Sequence, residues 1–281
     1  MSILTRWGRA AALRVGPLLA ERFQPRYVIL CYHSVHPSRP FRSATPEMFV
    51  AHLRWLTEHC DVVPLSTLVS QRAAPRNGRP QVAITFDDGH VDNYEFALPL
   101  LVEHRMPATF YVTTGYIDRD PAVMERFTSI RRVTLQEIEP LSWGQLREFD
   151  AAGMEIGAHT FSHPNLAQLP PEQLPHEVAE PKAEIEARLG REVASFAYPF
   201  GQLNLHVNRA AVAAVQAAGF KTAVTAAGRG VRANDSLLTL PRFFASTSVE
   251  VLASKLRGDW DLVGVIQERM PTLNSRSRRP S

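Results

Sequence analysis

The chain alternates between short apolar runs and longer segments in which apolar residues recur every three to four positions. Runs of strand length fall at residues 27–32, 82–86, 108–113, 154–158, 193–198, 220–225 and 237–244. Most consecutive runs are separated by a segment of helical periodicity, so the pattern predicts seven strands alternating with helices and a parallel sheet. The helices carry their own punctuation. Thr45 and Pro46 read as N-cap and first helical position ahead of EMFVAHLRWLTEH, and Ser142 caps WGQLREFDAA, which ends at Gly153. PEQLPHEVAEPKAEIEARL stops at Gly190 and NRAAVAAVQAA at Gly219, with Pro175 and Pro181 expected to kink or delay the former. No compositional break marks a domain boundary, and the expectation is one irregular α/β barrel over residues 25–260.

Three segments fall outside the alternation. Residues 115–140 are polar, charged and poor in period, and read as an insertion after the third strand. Residues 1–24 read as an N-terminal helical segment in which Arg6, Arg9, Arg14 and Arg22 alternate with Leu4, Trp7, Leu13, Leu18 and Leu19, interrupted by Gly16 and Pro17. That composition suits peripheral contact with an anionic membrane surface, but the favoured reading is a helix packed on the outside of the domain. Arg14 splits the apolar run and no small-x-small site follows it, so a secretory signal is not expected; the expected location is the cytoplasm or the cytoplasmic face of the membrane. Residues 261–281 read as a C-terminal extension and frayed tail with solvated Arg276, Arg278 and Arg279.

Composition changes this picture little. The chain has 281 residues of which 45% are hydrophobic, ample for a core, and its formal charge of +3 is spread along the sequence, so no nucleic-acid partner is expected. Cys31 and Cys60 lack the paired spacing of a zinc-thiolate site and read as small core residues.

Candidate chemistry begins at TFDDG (85–89), where Asp87 and Asp88 end an apolar run. Adjacent strand residues point opposite ways, so both can face one pocket only where the strand has begun to turn, and Gly89 supplies a backbone for that turn. The alternative is a turn in which one aspartate caps the next helix. His159 and His163, four apart after another short strand and ahead of Pro164, add two imidazoles. Two imidazoles and a carboxylate form a common ligand set for a divalent metal with positions left open, and together the two elements favour a metal site.

TFDDG, HTFSHP (159–164) and FAYPFG (196–201), in that order, resemble the first three motifs of the NodB-type polysaccharide deacetylases, carbohydrate esterase family four. The similarity runs from Tyr27 to Arg242. It implies the NodB homology fold, a distorted (β/α)7 barrel with parallel strands, and a hydrolase acting on carbon–nitrogen bonds other than peptide bonds. Residue by residue, it implies Asp88, His159 and His163 as metal ligands, Asp87 as catalytic base, and Tyr198, Pro199, Phe200 and Gly201 as a substrate-binding segment, the Phe200 N–H facing the oxyanion. The implied cofactor is zinc, with cobalt, nickel or manganese able to serve, and the implied partner is an acetylated carbohydrate.

The chain departs from that pattern twice. Ala197 and Tyr198 stand where many members have an arginine and a proline, and no histidine follows His206 to supply the usual general acid. Arg242, on the last predicted strand, can replace the missing arginine as partner of Asp87, or be an ordinary surface arginine. His33 ends the first strand, a neighbour of the last in a closed barrel, and can protonate the leaving amine or position substrate, as similar Tyr-His pairs suggest in relatives lacking the late histidine; a packed polar residue is the alternative. His90 reads as a pocket-rim residue, His104, His176 and His206 as solvated, and Trp143 and Phe161 as core or as an apolar wall for a sugar ring. The expected activity is removal of N-acetyl, or O-acetyl, groups from an amino-sugar glycan or glycolipid. The alternatives are a carbohydrate-binding member without turnover and a metal phosphoesterase.

Overall fold

The structure, a computed structural model, describes residues 27–38, 43–71, 78–134, 137–245, 248–261 and 263–265. The expected segment 1–24 and all of the expected tail beyond residue 265 lie outside them.

The chain enters through β1 (Tyr27–Tyr32), a two-residue pair β2 (Ser34–Val35) and β3 (Ser43–Ala44), and helix α1 (Pro46–His59). Thr45 caps α1 by accepting the Met48 N–H, and Pro46 opens it, where a missing N–H costs nothing. Then follow β4 (Asp61–Val62), α2 (Leu65–Gln71), β5 (Gln81–Phe86), a π-helical turn at Asn93–Ala97 and α3 (Leu98–Glu103). After β6 (Ala108–Val112) come two helices, α4 (Thr114–Ile117) and α5 (Pro121–Arg131), then α6 (Trp143–Ala151) behind a capping box at Ser142. The remainder is β7 (Glu155–Ala158), α7 (Leu174–Leu189), β8 (Ser195–Ala197), α8 (Arg209–Ala217), β9 (Thr222–Val224), β10 (Phe243–Phe244) and α9 (Val249–Leu256). Pro175 sits in the first turn of α7, whose start is delayed to Leu174, and Pro181 lies inside it.

One parallel sheet carries the fold in the order β10-β1-β5-β6-β7-β8-β9, with the short β4 added to β5. Its ends approach each other: Leu240 donates to the Ala223 carbonyl at 2.9 Å and accepts from the Thr225 N–H at 2.7 Å, three residues before β10 pairs with β1. The result is a distorted, curled barrel whose irregular seam runs through residues 237–240.

Strand alternation then divides the core in two. Val28, Leu30, Val82, Ile84 and Phe86 pack outward under the helices, whereas Ile29, Ala83, Tyr111, Ala197 and Val224 fill the interior. Register keeps the inner positions together, with Ile29 opposite Ala83, Tyr111 opposite Gly157 and Ala197 opposite Val224. A Cβ on Gly157 would lie 2.4 Å from the Tyr111 ring, so only glycine lets that ring cross the barrel.

The insertion at residues 115–140 corrects one expectation, because helices α4 and α5 lie where the sequence pattern was poor in period. Its apolar residues are few but converge: Tyr116 stacks on Phe127 at 4.2 Å, with Val123 and Ile138 completing a small separate core. Among the described residues no helix is long and apolar enough to cross a membrane.

Candidate metal centre and active site

Cys31, His33, Asp87, Asp88, His159 and His163 gather at the carboxyl ends of β1, β5 and β7, the face on which parallel α/β barrels build their sites. Asp87 follows β5 on the inward parity of Ala83 and Thr85, and its N–H continues the ladder by donating to the Tyr32 carbonyl at 3.0 Å. Asp88 would point outward on the same parity. Instead its φ of +80°, followed by +92° at Gly89, turns its carboxylate into the same space. Both aspartates are buried, at 4% and 0% exposure, which excludes a solvated turn.

Around Asp87 the contacts are those of a fixed ion pair. The buried Arg242 guanidinium forks onto both carboxylate oxygens at 2.7 Å, donates to Thr85 Oγ1 at 2.9 Å and to the Thr225 carbonyl at 3.0 Å, and lies 5.6 Å over the Tyr111 ring. Burial alone raises the Asp87 pKa; Arg242, with the neighbouring imidazoles, outweighs it and brings the group down to about 2. Cys31 donates its thiol to Asp87 Oδ2 at 3.4 Å, and burial pushes that thiol up, so it stands protonated. His33 is half-buried, stacked on Phe244, with Nδ1 4.0 Å from Cys31 Sγ. Burial first, and then the Arg131 cation, lowers its pKa to about 3, leaving a neutral imidazole.

Around Asp88 the geometry is that of a ligand cage. Its Oδ1 lies 3.5 Å from Nε2 of His159 and 3.5 Å from Nε2 of His163, and is buried without a hydrogen-bond partner. Its Oδ2 faces the other way, to His90 Nε2 at 3.2 Å and to the Arg131 guanidinium. Burial works against the Asp88 charge, but Arg131, His159 and His90 together hold its pKa well below the usual carboxylate range. His159 donates Nδ1–H to the Ala197 carbonyl at 2.7 Å, which fixes the tautomer that leaves Nε2 bare. His163 has a left-handed backbone, φ +56°, steadied by its N–H donating to Thr160 Oγ1 at 2.9 Å. Its ring sits among Phe127, His159 and Phe200, and burial lowers its pKa well below the ordinary value.

These residues fit a divalent ion. The three ligand atoms lie within 4.8 Å of one another, and the 3.5 Å separations match the roughly 3.4 Å edge of a tetrahedron with ligand bonds of about 2.0–2.1 Å. Strain points the same way, since Asp88, Thr160, His163 and Phe200 all hold positive φ without being glycine.

The FAYPFG segment divides. Phe200 is 39% exposed at the mouth, its ring 4.8 Å from that of His163, while Pro199 and Gly201 are buried beside it. The Tyr198 ring, expected to meet substrate, instead packs in the outer core against Phe196 and donates its hydroxyl to the Leu238 carbonyl at 3.1 Å. The reason is parity: Ala197 points inward, so the next side chain points outward. Trp143 is likewise removed from the site, bonded to Asp118 and covered by Arg188.

Sequence reasoning missed four participants. His90, expected at the rim, is 2% exposed and bonds Asp88 and the Tyr116 hydroxyl. Arg131 reaches in from the end of α5, and Cys31 from the inner face of β1. Glu177 on α7 accepts from the Phe161 and Ser162 N–H groups at 3.1 and 2.9 Å and from the Ser162 hydroxyl at 2.6 Å, clamping the loop between the two histidines. Only His90 had a signal, its place beside the aspartates; a glutamate inside a helix ordinarily reads as solvated.

A barrel with this face and this pair of aspartates is the architecture of the polysaccharide deacetylases, and comparison with known proteins gives the same class. The family model described as polysaccharide deacetylase matches residues 74–223, more than half of the chain, and the chain belongs to that family. The Bacillus subtilis protein YxkH, classed with the polysaccharide deacetylases, is 28% identical over 199 residues, 70% of this chain and 63% of that protein. A chitooligosaccharide deacetylase of Sinorhizobium fredii is 34% identical over 101 residues, 34% of this chain and 36% of the relative. These matches therefore span less than two thirds of either relative. Among solved structures, the Streptococcus pyogenes deacetylase PplD, in complex with acetate, superposes with a TM-score of 0.68 at 24% identity over 83% of this chain and 99% of that one. IcaB from Ammonifex degensii gives 0.66 at 22% over 83% and 97%. These likenesses establish the shared fold.

Proposed function

We propose that the chain is a metal-dependent deacetylase that hydrolyses N-acetyl groups, with O-acetyl groups as the nearest variant, on an amino-sugar-containing glycan or glycolipid. The observation that carries this reading is the convergence of Asp88 Oδ1, His159 Nε2 and His163 Nε2 on one point beside the separately held Asp87. Asp88, His159 and His163 would hold the ion, for which zinc suits the N/O donor set and cobalt, nickel or manganese can substitute. Such an ion supplies Lewis acidity to a carbonyl oxygen and to a water molecule.

The rest of the reaction falls to the chain's own residues. Asp87, kept ionised by Arg242 and held off the ligand set, accepts the proton of the attacking water. The main-chain N–H of Phe200 faces the developing oxyanion, and the exposed Phe200 ring offers an apolar edge to the sugar. The proton that Asp87 takes from the water passes to the departing amine, and the neutral imidazole of His33, on the Asp87 side of the pocket, positions the substrate. The products are a free amine and acetate. Action in the cytoplasm or at its membrane face is supported by the Arg-rich composition of residues 1–24, which suits an anionic lipid surface.

The test combines metal analysis of the purified chain with acetate release from a panel of N-acetylated sugars. Activity that disappears on chelation, returns with added metal and is absent in Asp87→Asn is expected. Phosphate release from a generic ester, or metal-independent acetate release, would overturn the reading.

A further inference from the structure

On the Asp87 side of the pocket lies a second cluster that shares no residue with the first. Cys31 Sγ, a ring nitrogen of His33 and a carboxylate oxygen of Asp87 all lie within 4.8 Å of one another. Strand parity explains the grouping: Cys31 and His33 continue the inward series of Ile29 along β1 and past its end, and β5 runs beside β1 with Cys31 opposite Thr85, two residues before Asp87. The Sγ···Oδ2 and Sγ···Nδ1 distances are 3.4 and 4.0 Å. Sulfur and nitrogen or oxygen ligands on one tetrahedral ion, with bonds of about 2.3 and 2.0 Å, stand about 3.5 Å apart.

We propose that Cys31, His33 and Asp87 form a second, inhibitory site for a thiophilic divalent cation such as zinc or cadmium. The ion takes the place of the thiol proton that now points at Asp87 Oδ2. The S–H bond breaks, the proton leaves to solvent, and a sulfur–metal bond forms, so one proton is released per ion bound. Arg242 occupies one lone pair on each Asp87 oxygen, and each oxygen has a second. A thiolate in the set selects soft metals over magnesium or calcium. Entry is past His33, which is half-buried, whereas Cys31 and Asp87 are 1% and 4% exposed. Arg242 grips both Asp87 oxygens at 2.7 Å, whereas Arg131 reaches only the Asp88 oxygen turned away from His159 and His163, and the Cys31 thiol must first lose its proton, so this site fills after the Asp88 site and at higher metal concentration. Filling it turns Asp87 from a proton acceptor into a ligand and removes the free imidazole of His33. The inhibition rests on the roles proposed above for those two residues; the binding does not.

Cadmium titration of the full-length chain tests the site, reading bound metal and the ultraviolet charge-transfer absorption of a cadmium–thiolate bond. The wild type is expected to bind two equivalents, the second bringing the thiolate band, proton release and loss of acetate release. Cys31→Ser is expected to bind one equivalent without the band and to escape the second, inhibitory phase. Cys60→Ser, which alters the other cysteine of the chain, is expected to keep the band. One equivalent without a band, or a band that survives Cys31→Ser, overturns the inference. One equivalent with a band upholds it and overturns the Asp88 site instead. Should circular dichroism show that Cys31→Ser does not fold, His33→Gln is expected to move the band's midpoint to higher cadmium, and an unmoved midpoint rules out the three-residue site.

Discussion

The two halves of the pocket hold adjacent aspartates by different physical means. Asp87 is where strand parity puts it, and a rigid fork from Arg242, itself bonded to Thr85 and Thr225, fixes it. Asp88 is where parity does not put it. A left-handed backbone turns it inward, and its partners come from a loop with two further left-handed residues, Thr160 and His163, and from the insertion helix that carries Arg131. The Asp87 half is thus a product of the barrel wall, and the Asp88 half is assembled from segments laid on top of it. Adjacent residues can thus carry distinct jobs when one keeps the pleat and the next breaks it.

Substituting each aspartate in turn should have the largest effect and should separate the two halves. Asp87→Asn is expected to retain metal and lose acetate release by about 10²–10⁴-fold, the range for removing a general base. Asp88→Ala is expected to lose bound metal and activity together. Equal metal content and equal residual rates in both variants would merge the two halves.

Next in size is Arg242→Ala. Leaving the buried Asp87 carboxylate unpaired should cost about 3–5 kcal/mol, read from the urea midpoint, with metal still bound and turnover lost. Arg242→Lys should recover little, because an ammonium cannot make the fork. A full-rate Arg242→Ala enzyme would reduce the arginine to a structural residue.

Glu177→Ala probes the other half without touching a ligand. Three hydrogen bonds that hold the Phe161–Ser162 turn disappear, and metal affinity measured against a chelator should fall about 10–100-fold, the usual range for partners that orient ligands. An unchanged affinity would mean that the loop is shaped by Thr160 and its own backbone alone.

Tyr198→Phe should be the mildest. It removes one hydroxyl bond to Leu238 and should cost about 1 kcal/mol of stability while leaving KM unchanged. A raised KM would return Tyr198 to the substrate pocket.

Legibility followed the same division. Hydrophobic periodicity read six strands of the barrel to within two residues, because burial on both faces leaves a continuous apolar run wherever a parallel strand lies, and it read the last, 237–244, six residues longer than the observed Phe243–Phe244. It did not read β4, two residues long, or helices α4 and α5, whose core of Tyr116, Val123, Phe127 and Ile138 forms only when the insertion closes on itself. The spelling of the motifs named Asp87, Asp88, His159 and His163, and their neighbourhood on one face followed from strand ends. His90 and Glu177 escaped because each lies on an element that ordinarily carries solvated polar residues.

By itself, the order of apolar and polar residues determined the barrel, the parity that aims Cys31, Asp87 and Ala197 inward, and the strand ends at which the chemistry sits. Those are properties of period and local sterics, which act within a few residues. Folding in three dimensions settled which cation meets which carboxylate: it chose between the two readings left open for Arg242 by setting it on Asp87 across 155 positions, and it brought Arg131, which the sequence did not single out, to Asp88 across 43. Such pairings depend on which strands become neighbours when the sheet curls. No local pattern encodes that adjacency, since the charges attract through space and the chain between them carries no trace of the distance.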